Sequence, residues 1–126
     1  MQQGQKSILV VNDEQEMLDQ IQRWLGVAGY AVRCTMTAED GVKLFGQNHF
    51  DLVLLDYNLK AESVGARTAK TYIPFFKKLK PNIPIIIISA TESQLNKDEL
   101  GVAEVIILHR AIWRNLLNVI KGIFIN

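Results

Sequence analysis

A single cysteine, Cys34, leaves the 126-residue chain without an internal disulfide, so its stability has to come from packing. Only three prolines punctuate it, and no low-complexity tract, internal repeat or linker divides it. Charge of one sign is scarce too: 14 basic against 13 acidic residues give a formal net charge of +1. That balance provides no field for steering toward nucleic acid or a membrane surface, so direct binding to either is not expected. The most apolar stretch, Ile83 to Ala90, is far shorter than a membrane span. The opening Met1 to Lys6 has no apolar core of the signal-peptide kind, and the expected location is cytoplasmic. What is abundant is apolar side chain, 48% of the residues, enough for the core of one domain. The expected organisation is a single domain over 1–126 with 1–6 as a flexible amino terminus.

The stretch from Phe50 to Leu59 organises the rest. Phe50-Asp51-Leu52-Val53-Leu54-Leu55 is an apolar run that stops abruptly on Asp56, as a strand buried on both faces of a parallel sheet does. Ser7 to Val11 is a similar short run, and Asn12-Asp13-Glu14 after it supplies helix-start chemistry. Met17, Leu18, Ile21, Leu25 and Ala28 recur at helical spacing before Gly29, predicting a helix from Glu14 to Ala28. Tyr30 to Thr35 alternates as an edge strand would, and Thr37-Ala38-Glu39-Asp40 resembles a capping box opening a second helix. Lys60 to Arg67 reads as a loop, and a third helix follows through Tyr72, Phe76 and Leu79, with Pro74 either in its first ordered turn or kinking it. Pro84 to Ser89 is the fourth strand, Thr91 or Ser93 caps a fourth helix through Leu100, Val105 to Leu108 is the fifth strand, and Ile112, Leu116, Leu117 and Ile120 mark a fifth helix.

Strands alternating with helices predict an α/β fold: a five-stranded parallel sheet in the flavodoxin-like order 2-1-3-4-5, with five helices covering both faces as a three-layer sandwich. Asp13, Asp56, Ser89 and His109 then line one edge, outside the carboxyl ends of the strands where such sheets bind ligands. Two carboxylates on adjacent strand ends repel, and a bound cation or a raised pKa is the usual resolution. Magnesium suits the pair, since it takes hard oxygen ligands and is commonly bound through one or two carboxylates together with phosphate oxygens. A metal-neutralised aspartate can act as a nucleophile toward a phosphoryl group, with Ser89 donating a hydrogen bond to its oxygens. No glycine-rich phosphate loop follows the first strand, so a nucleotide pocket is not expected. Taken singly, Asn12 and Asp13 read equally well as helix-cap residues, and Asp56 as the turn residue ending a strand.

Ile8-Leu9-Val10-Val11-Asn12-Asp13-Glu14, Phe50 to Asp56 and Pro84-Ile85-Ile86-Ile87-Ile88-Ser89-Ala90, in this order and spacing, resemble the receiver domain of two-component response regulators over essentially the whole chain. The resemblance implies that Asp56 accepts a phosphoryl group from the phosphohistidine of a histidine kinase or phosphotransfer protein, with Mg2+ as cofactor. By the same resemblance Asp13, Asp56 and the backbone carbonyl of Asn58 ligate the metal, Asn12 acts on it through water, and Ser89 is the switch hydroxyl. Asn58 and Thr91 stand where the family tunes the lifetime of the phosphoryl aspartate. The implied output is a changed surface on the fourth helix, fifth strand and fifth helix, read by an effector or a second copy. Such a protein is a phosphoacceptor with slow self-dephosphorylation rather than an enzyme.

The chain departs from the family pattern in the site itself. Asn12 replaces one carboxylate of the acidic pair, His109-Arg110 stands where a lysine is usual, and Ile106 takes the place of the aromatic that reports the switch. The loop after Asp56 lacks the family's turn and runs from Lys60 to Lys70. These changes predict slow or inefficient phosphorylation. A rival reading keeps the fold and drops the chemistry: a pseudo-receiver that binds partners without phosphorylation.

Overall fold

The structure, a computed structural model, describes residues 4–59, 67–89, 105–108 and 112–125. In chain order the elements are β1 (Ser7–Val11), α1 (Gln15–Val27), β2 (Ala31–Thr35), α2 (Ala38–Gln47), β3 (Leu52–Asp56), β4 (Asn58–Leu59), β5 (Arg67–Thr68), α3 (Ala69–Leu79), β6 (Ile85–Ser89), β7 (Val105–Leu108) and α4 (Ile112–Ile125). The main sheet runs β2-β1-β3-β6-β7 with every neighbour parallel. The apolar runs are strands because both of their faces are covered. Ile8, Val10, Leu52, Leu54, Ile86 and Ile88 point to the side of α1 and α4, where Leu18, Ile21, Leu25, Leu116 and Ile120 meet them. Leu9, Val11, Val53, Leu55, Ile85 and Ile87 point the other way, onto Phe45, Tyr72, Ile73 and Phe76 of α2 and α3. Each fully buried Leu or Ile contributes roughly 1.5–3 kcal/mol over an exposed one, so this double-sided core dominates stability.

Local chemistry sets the helix ends. α1 stops at Gly29, whose φ of 101° only glycine takes without strain. The amide of Gly29 donates to Gly26 and that of Tyr30 to Leu25, closing the carbonyls the last turn leaves open. α2 opens on Thr37, whose hydroxyl accepts the Asp40 amide at 3.1 Å, as the capping motif predicts. Gly41 brings α2 hard against the sheet: a Cβ there would stand 2.8 Å from Cγ2 of Val11 and 3.1 Å from Oγ1 of Thr35. Phe45 stacks on Phe50 with ring centres 6.0 Å apart and meets Phe76 edge-on at 5.2 Å.

The structure revises several boundaries. Tyr30 lies between the turn at 28–29 and β2, and β2 is half-buried throughout except for exposed Arg33, as an edge strand should be. Arg67 and Thr68, expected in a loop and its border, pair antiparallel with Leu59 and Asn58. Lys70, expected in that loop, lies in α3, and Pro74 sits inside the same helix rather than in its first turn. A proline there has no amide to give the carbonyl of Lys70, so α3 is held mainly by the burial of Tyr72, Ile73 and Phe76. The expected fourth helix through Leu100 falls outside the described residues, among which there are four helices. None of those helices is long and apolar enough to cross a membrane.

Candidate functional site

The carboxyl ends of β1 and β3 form the centre of the site. Val11 pairs with Leu55, so continuing that register brings Asn12 level with Asp56 and Asp13 one residue beyond it. Asp56 is the last residue of β3, and Asp13 lies between β1 and α1; both are half-buried. Ser89 closes β6, and Asp56 pairs with Ile88 of that strand. The amide of Tyr57, directly after Asp56, donates to the carbonyl of Ile88 at 2.8 Å. That carbonyl belongs to the peptide leading into Ser89, so the two strand ends are tied at the position where the hydroxyl is expected. Asn58 follows in β4, whose two-residue ladder with β5 fixes the backbone after the site. Ile106 pairs with Ile87 in β7, while Thr91, His109 and Arg110 lie outside the described residues.

Asn12 is 2% exposed, the one buried polar or charged side chain among the described residues. Its backbone N–H donates to the carbonyl of Thr35 at 3.1 Å, and its side-chain Oδ1 accepts the backbone amide of Glu14 at 2.9 Å. This Asx turn carries the chain from β1 into α1, whose own N-cap residue, Glu14, makes no side-chain cap. Asn12 thus shapes the turn into α1 rather than capping the helix itself, whose N-cap is Glu14. An asparagine two residues before a helix-starting glutamate was its sequence signal. The link from Tyr57 to Ile88 had none, because a bond between segments 31 residues apart leaves no local pattern.

Among the described residues no group of three or more His, Cys, Asp or Glu can hold a metal ion by itself. The two half-buried carboxylates of Asp13 and Asp56 are of the hard-oxygen kind that magnesium takes, its shell commonly completed by water and phosphoryl oxygens. The chemistry of the donors fits that ion, with one negative charge fewer than three carboxylates would supply.

A sequence profile described as the response regulator receiver domain matches residues 8–106. The chain belongs to that family. Receiver domains of two-component response regulators are signalling rather than enzymatic domains, and phosphorylation-dependent switching is their general role. This receiver is 34% identical over 84 residues to the DNA-binding transcriptional regulator NtrC of Bradyrhizobium sp. (strain RP501 Parasponia), covering 67% of this chain and 16% of that protein. It is 29% identical over 107 residues to the probable transcriptional regulator ycf27 of Cyanidium caldarium, covering 82% and 40%. The chain thus spans well under half the length of the curated relatives it matches. Among solved structures, the receiver domain protein (CheY-like) of Methanospirillum hungatei JF-1 superposes with a TM-score of 0.82 at 26% identity, over 94% of this chain and 93% of that one. TrrA of Thermotoga maritima, solved in complex with Mg(2+)-BeF, superposes with a TM-score of 0.83 at 22% identity, over 94% and 98%, a likeness of fold.

Proposed function

We propose that Asp56 accepts a phosphoryl group from a histidine kinase or a histidine phosphotransfer protein. The observation that carries this reading is the register of β1 and β3, which brings Asp13 and Asp56 to adjacent strand ends. Asp13, Asp56 and the backbone carbonyl of Asn58 would hold Mg2+, with Asn12 acting through water. Held there, such a cation would supply charge to offset that of the phosphoryl oxygens. A carboxylate oxygen of Asp56 attacks phosphorus, and the phosphorus–nitrogen bond of the donor breaks. The freed imidazole keeps the electron pair and takes up a proton from water. Ser89 then hydrogen-bonds a phosphoryl oxygen, and His109 stands in the sequence at the position of the usual lysine. The bond from Tyr57 to Ile88 couples the two strand ends, which supports a switch read on the face of the expected helix through Leu100, β7 and α4 by an effector or a second copy. Five helices over one domain and a cytoplasmic location complete the reading.

A pseudo-receiver is the second reading. It is favoured by Asn12, which lacks the charge of an acidic pair and whose Oδ1 is engaged with the amide of Glu14. Incubating the protein with acetyl phosphate, with and without magnesium, and recording intact mass beside Asp56→Asn separates the two. A magnesium-dependent phosphoryl adduct, absent in the variant, supports the phosphoacceptor. A folded protein with no adduct at high magnesium supports the pseudo-receiver.

A further inference from the structure

α3 turns a stripe of its surface to solvent that an isolated domain has no reason to keep apolar. Phe75 is 52% exposed and Leu79 53% exposed, one turn apart, and exposed Pro74 adjoins them. Beside this stripe α2 presents Gly46, where a Cβ would stand 3.8 Å from Cδ1 of Leu79 with no other atom within 4 Å. The missing side chain opens a notch between the two helices. It runs into a recess of about 330 Å³ between their carboxyl ends, lined by Phe45, Gly46, Leu79 and Lys80 among others. The floor is aromatic; His49 also lines the recess, with its ring engaging the Asp51 carboxylate at 2.9 Å, and the rest of the border is basic. Lys78 is exposed beside Leu79, and Lys43 shares a helical stripe of α2 with Glu39 and Gly46. The ammonium of Lys80 is held at the rim by the carbonyl of Phe50, 2.8 Å away, with two further protons to donate. Among the described residues, the last two turns of α2 and of α3 carry no acidic side chain.

From this geometry we infer a second docking surface, on the α2–α3 shoulder, for an acidic amphipathic helix of another protein. One apolar side chain of that helix enters the notch at Gly46, its apolar face covers Phe75 and Leu79, and its carboxylates meet Lys43, Lys78 and Lys80. Charge selects the occupant. A second copy of this chain, packed about a two-fold axis, would set the same lysines against themselves. An anionic bilayer matches the charge, but it presents a broad surface to what is here a narrow concave notch. The shoulder lies at the opposite end of the sheet from Asp56: the recess touches Phe50, before β3, and Asp56 ends that strand about 17–20 Å away. It is therefore separate from the phosphoacceptor site, and its occupation does not depend on the chemistry proposed there.

The test titrates a synthetic helical peptide of about 14 residues, four turns, with a leucine and phenylalanine face flanked by glutamates. Backbone amide shifts of the full chain are the readout. Saturable shifts at Gly46, Phe75 and Leu79 are expected, weakened at least tenfold when lysines replace the peptide's glutamates. Lys78→Glu on the exposed face should weaken binding to a similar degree. Gly46→Gln should also abolish it while leaving α2 intact, since Gly46 has no positive φ and glutamine favours helix more than glycine. Shifts elsewhere, or equal binding of the lysine peptide, overturn the inference. So do the same amides shifting with protein concentration alone, which marks a second copy, or with phosphatidylserine vesicles but not the peptide, which marks a membrane.

Discussion

Replacing Asn12 by Asp is the perturbation that best weighs the electrostatics of the site. Asn12 is buried and level with Asp56 on the adjacent strand, so the new carboxylate stands about 5 Å from an existing one. Two like charges at that distance repel by about 3 kcal/mol at an effective dielectric of 20 and by about 0.8 kcal/mol at that of water. The Asx turn survives the exchange, because an aspartate oxygen accepts the Glu14 amide as the asparagine oxygen does at 2.9 Å. Without divalent metal the variant should lose about 1–2 kcal/mol, a fall of about 4–8 °C in Tm for a chain of this size. With magnesium the sign reverses. The cation carries two charges, so even water-like screening gives about 1.7 kcal/mol of added attraction, more than tenfold in affinity. Thermal melts in chelator and across a magnesium titration read both effects, and the initial rate of acetyl phosphate labelling should rise with them. An unchanged melt in chelator together with an unchanged magnesium midpoint would refute the placement of Asn12 beside the carboxylates proposed to bind the metal.

Gly41→Ala should destabilise despite alanine's higher helix propensity, because its Cβ meets Val11 at 2.8 Å; overpacking of about 1–3 kcal/mol outweighs the roughly 1 kcal/mol of propensity, and a denaturant midpoint that rises would show that α2 yields freely. Asp51 titrates below the ordinary carboxylate range: burial pushes it up, but the Ser7 amide at 2.8 Å, the His49 ring at 2.9 Å and the charge of Lys6 outweigh burial. Its contribution is therefore complete above about pH 4 and is lost as pH falls through the lower folded value, so Asp51→Asn should flatten acid denaturation monitored by circular dichroism. Burial, with Asp19 adding to it, pushes the Cys34 thiol up to about 11. Alkylation by iodoacetamide should accordingly be slow at neutral pH and climb about tenfold per pH unit toward that value, whereas a plateau near pH 8.5 would mean a solvated thiol.

The strands of the main sheet were legible because a strand covered on both faces must be apolar at every position, and Ile8 to Val11, Leu52 to Leu55 and Ile85 to Ile88 are. The packed faces of α1 and α2 were legible from spacing, and Gly29 and Thr37 marked their ends. β4 and β5 escaped because two-residue strands carry no period, and α3 begins earlier than expected because polar Lys70 is as compatible with a first turn as with a loop. Asp13 and Asp56 could be picked out as strand-end carboxylates. The role of Asn12 stayed ambiguous because a side chain that shapes the turn into a helix can also stand beside strand-end carboxylates.

The bond from the Tyr57 amide to the Ile88 carbonyl also places a natural clock in the molecule. An amide exchanges its proton with solvent only when its hydrogen bond opens, so the exchange lifetime at Tyr57 counts how often the ends of β3 and β6 part company. If Asp56 takes the phosphoryl group as proposed, the change at the end of β3 should register in that single lifetime.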